Sequence, residues 1–226
     1  MPLVVKLRSV VCLLGRFPAL AGIDLDVAPG ELVLLSGPNG AGKTTVLRLI
    51  AGLVPPRSGH AEVFGHDLYE DRISARRRLA LVGHETFCYD ELTVRENLRF
   101  IARAADVSGD VRRVVDDVVA TTGLGEVAGV LHARLSAGQR RRLALGAALV
   151  RDPELYLLDE PHAGLDADGR AVLNNVLAGA RSRGRTIVMA SHELELAREI
   201  ASREVRIEAG MASEVPQQQP VTEAIR

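Results

Sequence analysis

The sequence predicts an α/β fold: an N-terminal antiparallel β subdomain, a parallel sheet behind it, and an α-helical subdomain inserted into that sheet. Three observations predict it. Residues 3–11 and 20–27 alternate apolar and polar side chains, as antiparallel strands with one wet face do. Residues 32–35, 155–158 and 186–190 are almost continuously apolar, as strands buried on both faces of a parallel sheet are. Between the first two of these runs, residues 92–150 carry helix signals throughout.

The elements follow in order. Ala28-Pro29-Gly30 is a turn before the first buried strand. A glycine-rich loop then leads into an apolar-periodic helix over residues 43–51, which Gly52 and Pro55-Pro56 end. Thr93 and Glu96 form a capping box, and Val94, Leu98, Ile101 and Ala105 line one face of the helix it opens. Ser136 and Gln139 open another helix, with Leu143, Ala144, Ala147 and Val150 on its apolar face. Each later buried strand precedes a helical stretch, which is the rhythm of a parallel sheet. Residues 1–210 therefore read as the folded domain, with 92–150 inserted. Residues 211–226, which contain Pro216-Gln217-Gln218-Gln219-Pro220, read as a disordered C-terminal tail.

Composition narrows the function. The 226 residues are 47% hydrophobic and 25% charged, as a globular α/β domain requires. Lys and Arg number 28 against 29 Asp and Glu, so no basic field points to nucleic acid. Aromatics at 3%, without Trp, weaken any base-stacking platform. Cys12 and Cys88 alone cannot build a disulfide framework, which suits a reducing cytosol. No apolar run reaches the roughly 18–20 residues that span a bilayer, and the N-terminus lacks the order of a signal peptide.

Gly37-Pro38-Asn39-Gly40-Ala41-Gly42-Lys43-Thr44 fits the phosphate-loop pattern G-x-x-x-x-G-K-[ST] and lies between a buried strand and a helix. Glycines let the backbone wrap a triphosphate with its N–H groups aimed at the oxygens, and the helix start adds positive potential. Lys43 supplies a mobile charge for the β- and γ-phosphates, Thr44 a hydroxyl for Mg²⁺, and Thr45 a contact to the α-phosphate. An accidental glycine turn is the competing reading, and the strand–loop–helix context opposes it.

Asp159-Glu160 ends the strand-like run Leu155-Tyr156-Leu157-Leu158, where a parallel sheet places its ligand sites. Asp159 is assigned to Mg²⁺, directly or through water, and Glu160 to the attacking water as general base. His192 follows the strand at 186–190 and would emerge at the same edge, able to bond the γ-phosphate and hold water and base in line. Ser136, Gly138 and Gln139, with Ala137 between, leave first-turn amides open to a second phosphate contact.

In this order, GPNGAGKT, LSAGQ, LYLLDE, the AGLD loop at 163–166 and His192 resemble the ATP-binding cassette (ABC) family over residues 3 to about 208. The resemblance implies a P-loop NTPase nucleotide-binding domain of ABC type that hydrolyses ATP with Mg²⁺. It further implies a head-to-tail homodimer in which Ser136, Ala137, Gly138 and Gln139 complete the partner's ATP site and Asp166 communicates across the interface. Coupling to integral membrane transporter subunits at the cytoplasmic face of the cell membrane is implied as well.

Within the family, the Gly83-His84 pair, LSAGQ followed by three arginines, and the short chain are similar to the haem-exporter ATPases of cytochrome c maturation. That similarity implies CcmB/CcmC-like membrane subunits, and transfer of haem to a periplasmic haem chaperone. Haem itself is not bound, because the six histidines carry no haem-attachment pattern. His162 after Asp159-Glu160-Pro161 departs from the phenylalanine and threonine common there in that branch. An ATPase of another exporter, for drugs or lipids, is the alternative, and a soluble ABC ATPase acting on ribosomes or DNA a more distant one.

Three positions stay open. His84 stands where most of the family has a glutamine, and it either bonds a water at the metal or rides on a loop with no such role. Adenine stacking falls to Leu14 or to Phe17. Arg140-Arg141-Arg142 reads as a solvated helix surface, while Arg76-Arg77-Arg78 suits a docking or lipid-headgroup contact.

Overall fold

The computed structural model describes residues 2–83 and 87–216. The first half of the chain runs through β1 (Val5–Leu14), β2 (Phe17–Val27), β3 (Leu32–Ser36), α1 (Lys43–Ile50), β4 (Ser58–Val63), β5 (His66–Asp67), α2 (Arg72–Arg77) and β6 (Leu79–Val82). Three helices follow, α3 (Val94–Ala104), α4 (Val111–Thr121) and α5 (Ala137–Arg151). The chain then returns to the sheet through β7 (Leu155–Asp159), α6 (Ala167–Ser182), β8 (Thr186–Ala190), α7 (Leu194–Ile200), β9 (Arg203–Glu208) and β10 (Met211–Val215).

Two sheets result. The antiparallel one has the order β2-β1-β4-β5, and the six-stranded one the order β10-β9-β3-β8-β7-β6. Strands β9, β3, β8, β7 and β6 run parallel, and β10 closes the edge antiparallel. Strand alternation explains why the runs at 32–35, 155–158 and 186–190 had to be apolar throughout. Val33, Leu35, Leu155, Leu157, Val188 and Ala190 face a core shared with α1 and the antiparallel sheet. Leu32, Leu34, Tyr156, Leu158, Ile187 and Met189 face the opposite core, beneath α5, α6 and α7. Each such aliphatic side chain, once buried, stabilises the fold by about 1.5–3 kcal/mol.

The helical lobe has its own core, built from Val94, Leu98 and Ala102 of α3, Val115 and Val119 of α4, and Leu143 and Val150 of α5. Its first helix starts as the sequence predicts: Glu96 N–H donates to Thr93 Oγ1 at 3.2 Å, and Thr93 N–H donates to Glu96 Oε2 at 2.9 Å. Ala105 differs from expectation. It is exposed, because α3 stops at Ala104 and the chain turns away through Asp106 at φ 50; Ala102, eight residues after Val94, takes the inward place.

Other boundaries shift as well. The first hairpin is longer than the 3–11 and 20–27 segments predict and turns at Gly15, φ 64. Residues 211–215, assigned to the tail, form β10. Ala209 and Gly210, at φ 49 and 74, make a two-residue turn whose backbone twist suits a tight hairpin. Residues 217–226 of that expected tail lie outside the described residues.

The basic run at 76–78 is mostly committed to the fold. Arg76 donates to the carbonyls of Ala51 and Gly52 at the end of α1, satisfying acceptors that the helix leaves open. Arg78 holds Glu154 with two bonds at 2.6 and 2.7 Å and stacks 3.9 Å from the centre of the Phe64 ring. Arg76 and Arg77 are both exposed, but Arg76 is engaged by its two carbonyl bonds, which leaves Arg77 as the better candidate for the docking role.

Candidate functional site

The site forms where β3, β7 and β8 end together. After Ser36 the chain enters the loop at Gly37, φ 132, where an added Cβ would sit 2.0 Å from the Ile207 carbonyl oxygen. Gly42, φ 111, begins α1, and its Cβ would lie 2.7 Å from the Ala19 oxygen. Both positions demand glycine for conformation and for space. The loop thus passes between β9 and the β1–β2 hairpin into the start of α1.

Lys43 is 7% exposed, and its ammonium donates to the carbonyls of Gly37 at 2.7 Å and Pro38 at 3.1 Å. It is thereby stretched back across the loop, the place from which it would reach a phosphate. Thr45 is buried beside it. Thr44 Oγ1 donates to Asp159, 3.1 and 3.0 Å from its two oxygens, although the residues are 115 apart in sequence. A hydroxyl and a carboxylate converging at the strand edge are hard oxygen donors, so this set fits Mg²⁺.

Glu160 follows at φ 52, a left-handed conformation unusual for a non-glycine residue, and its N–H donates to Ala190 O at 2.8 Å. That turn swings the carboxylate out of the sheet. Glu160 Oε2 then accepts from the His192 backbone N–H at 3.0 Å and from its ring Nδ1 at 2.6 Å. An ionised carboxylate only accepts, so Nδ1 carries the proton and Nε2 is left facing outward as an acceptor or, when protonated, a donor. His192 is 60% exposed and Glu160 16%, which leaves the pair reachable.

At the other end of the helical lobe, Ser136 caps α5. Gln139 N–H donates to Ser136 Oγ at 3.2 Å, and Ser136 N–H donates to Gln139 Oε1 at 2.9 Å. Ser136 Oγ accepts in this bond, so its proton stays free to donate, and Ser136 and Ala137 lie exposed. An added Cβ on Gly138 would lie 3.6 Å from Gly164 O, so this helix start abuts the 163–166 loop. Asp166 in turn caps α6, accepting from Gly169 N–H at 2.8 Å.

Leu14 and Phe17 are direct partners at the tip of the β1–β2 hairpin and are 49% and 80% exposed. Further along the strand that carries Phe17, Ala19 O and Leu20 Cδ2 lie against the Gly42 position. His84 lies outside the described residues.

Arg141 is the residue that the reading of the arginine run missed. It is no solvated surface group: it donates from Nη1 to Gly83 O at 2.7 Å and from Nη2 to Asp159 O at 2.6 Å and to Glu160 O. Burial holds its pKa below the usual guanidinium value, and the nearby Asp159 and Glu160 charges act against that shift. The signal was present in the periodicity, since Arg141, Ala144, Leu145 and Ala148 share one helix face and the last three are buried. His162, the departure noted in the sequence, is fully buried with Nε2 3.1 Å from Asn174 Oδ1.

A family model described as "ABC transporter" matches residues 20–163. The chain belongs to the ABC transporter family. As an ABC protein it is 40% identical over 183 residues to the "Cytochrome c biogenesis ATP-binding export protein CcmA" of Bordetella bronchiseptica, covering 80% of each chain. It is 36% identical to the "Daunorubicin resistance ATP-binding protein DrrA3" of Streptomyces coeruleorubidus, over 87% of this chain and 62% of that protein. A solved "ATP binding subunit of ABC transporter" superposes with a TM-score of 0.85 at 27% identity, over 92% of this chain and 88% of that one. A dimeric ATP-binding cassette in a post-hydrolysis state with ADP and phosphate shares the fold, with a TM-score of 0.85 at 24% identity over 95% of this chain and all of that one. The chain is thus an ATP-binding subunit of ABC type. Among its described residues, no helix is long and apolar enough to cross a membrane.

Proposed function

We propose that this chain is the ATP-hydrolysing subunit of a haem exporter serving cytochrome c maturation. It would work as a head-to-tail homodimer docked on CcmB/CcmC-like integral membrane subunits at the cytoplasmic face of the membrane. The hydrolytic reading is carried by one observation: Glu160 meets His192 at 2.6 Å, and the adjoining Asp159 accepts from Thr44 at 3.0 Å. The haem reading is supported by the CcmA relative, which the chain matches over 80% of both lengths. Export of a drug is the second reading, favoured by the daunorubicin-resistance relative.

In the reaction proposed, Lys43 leaves the carbonyls of Gly37 and Pro38 for the β- and γ-phosphates. The amides from Gly37 through Thr44, Pro38 excepted because it has no N–H, hold the phosphate oxygens, and Thr45 reaches the α-phosphate. Thr44 and Asp159 would hold Mg²⁺, which when bound neutralises charge on the phosphates. Glu160 takes the proton of the attacking water, and His192 positions Glu160 through Nδ1 and would donate from Nε2 to the γ-phosphate when that nitrogen also carries a proton. Ser136, Gly138 and Gln139 of the partner subunit close the site from the other side. Binding of ATP thereby joins two protomers, and loss of the γ-phosphate releases them. Adenine rests on the Leu14–Phe17 hairpin tip, and His84 is retained as a candidate contact to water at the metal.

Two measurements test this. Purified protein should release phosphate from ATP only with Mg²⁺, and no release at saturating ATP rejects the hydrolytic role. Deleting the gene should abolish covalent haem in c-type cytochromes. Intact c-type cytochromes with heightened drug sensitivity would instead assign the subunit to a drug exporter.

A further inference from the structure

The Arg141 guanidinium lies between two parts of the site that the chain builds separately. Its helix, α5, begins at Ser136 and carries the amides assigned above to the ATP site of the partner subunit. Its donors end on the carbonyls of Asp159 and Glu160, which belong to the ATP site of its own subunit, and on Gly83, the last described residue before the His84 segment. The Glu160 carbonyl is the informative acceptor. Glu160 holds a left-handed backbone at φ 52, so its carboxylate direction depends on a conformation that the residue does not favour unaided. The backbone on either side of its Cα is pinned: Glu160 N–H donates to Ala190 O at 2.8 Å, and Glu160 O accepts from Arg141. The neighbouring Arg142 instead donates to Gly123 O at 3.0 Å, within the helical lobe.

We infer that Arg141 is a positioning residue that couples the two ATP sites of the dimer, by making the aim of Glu160 in one site depend on where α5 is held by the nucleotide of the other. This rests on the dimeric reading proposed above. Movement of α5 against β7 lengthens or breaks the bonds to Asp159 and Glu160, because a guanidinium bonded to carbonyls on neighbouring residues tolerates little displacement. When the partner's nucleotide seats α5, the Glu160 turn is closed and the base is aimed. When α5 swings free, the turn relaxes and hydrolysis stalls with nucleotide still bound. The coupling is reciprocal for binding, so occupation of one site favours occupation of the other.

The test compares Arg141→Lys and Arg141→Met with Arg142→Lys in the full chain, measuring kcat, KM and the Hill coefficient for Mg-ATP, and affinity for a non-hydrolysable ATP analogue. Lysine keeps the charge and much of the length but cannot reach all three carbonyls; methionine keeps the packing stem. The expected result is a kcat lowered about tenfold or more in both Arg141 variants. Their Hill coefficient should fall toward 1 from a higher wild-type value, analogue affinity of the isolated protomer should stay within about twofold, and Arg142→Lys should behave as wild type. Unchanged kcat and Hill coefficient overturn the inference. So does a parallel loss of kcat, analogue affinity and thermal stability in the lysine variant, which would mark Arg141 as a structural brace. A wild-type protein that binds the analogue but never hydrolyses ATP overturns the hydrolytic reading itself, and the inference with it.

Discussion

At the scale of single residues, the division of labour between Asp159 and Glu160 comes from backbone rather than from side-chain chemistry. Asp159 is the last residue of β7 and points at Thr44, while Glu160 turns through φ 52 and points at His192. Glu160→Gln keeps the size and an accepting oxygen but removes the carboxylate proposed as the base. It should leave ATP affinity within a few-fold, lower steady-state hydrolysis by about two orders of magnitude or more, and trap an ATP-bound dimer visible by size-exclusion chromatography. Phosphate release at the wild-type rate would show that another group takes the proton. Gly37→Ala acts through space instead: its Cβ would lie 2.0 Å from Ile207 O, so the loop or β9 must move. Nucleotide binding measured by fluorescent-analogue titration should be lost or weakened by at least about tenfold.

At the scale of elements, the helix starts are the clearest case of local sequence settling local structure. Both capping boxes, Thr93 with Glu96 and Ser136 with Gln139, form as spacing alone predicts, because every partner lies within one turn. They differ in what surrounds them. Among the described residues the Thr93 side chain bonds only Glu96, and its backbone bridges to Leu131 inside the helical lobe. Thr93→Ala should therefore lower stability by about 1 kcal/mol in urea unfolding while kcat for ATP stays near wild type. Ser136→Ala loses a similar cap and also the free hydroxyl proton, so it should lower ATPase activity as well as stability. Strands that depend on distant partners were harder to read. β6 is a four-residue strand that exists because β7 supplies its hydrogen bonds across more than 70 residues, and β10 because Ala209-Gly210 folds it back on β9. β10 has no apolar run of its own, whereas Leu79-Ala80-Leu81-Val82 of β6 is as long an apolar run as residues 32–35, a strand signal that the sequence reading missed.

At the scale of the whole molecule, arginine–carboxylate pairs tie strands and helices that meet only in the folded state. Asp26 is held below its usual pKa by the bonds from Arg8, Glu154 by those from Arg78, and Glu204 by those from Arg198. A carboxylate whose folded pKa is lowered stabilises the native state above its unfolded value, 3.8 for Asp and 4.5 for Glu, and that contribution fades as pH falls through the folded value. The unfolding free energy from urea titrations should therefore stay level from about pH 7 to 5 and fall below about 4.5. Glu204→Gln should make that fall shallower, and an unchanged acid profile would remove Glu204 from the set.

What the sequence determined by itself was the local chemistry. The two helix caps answer to neighbours within one turn. The phosphate loop and the buried-strand runs were legible from residue type alone, even though Gly37 and Gly42 also meet Ile207 and Ala19 in the fold. Meetings of distant groups were left to the tertiary structure: Thr44 on Asp159 across 115 residues, Glu160 on His192 across 32, Arg141 on the backbone of Glu160 across 19. Those contacts exist only once both faces of the parallel sheet are packed, because side chains that far apart in the chain are brought within 3 Å by core burial and by no preference of their own.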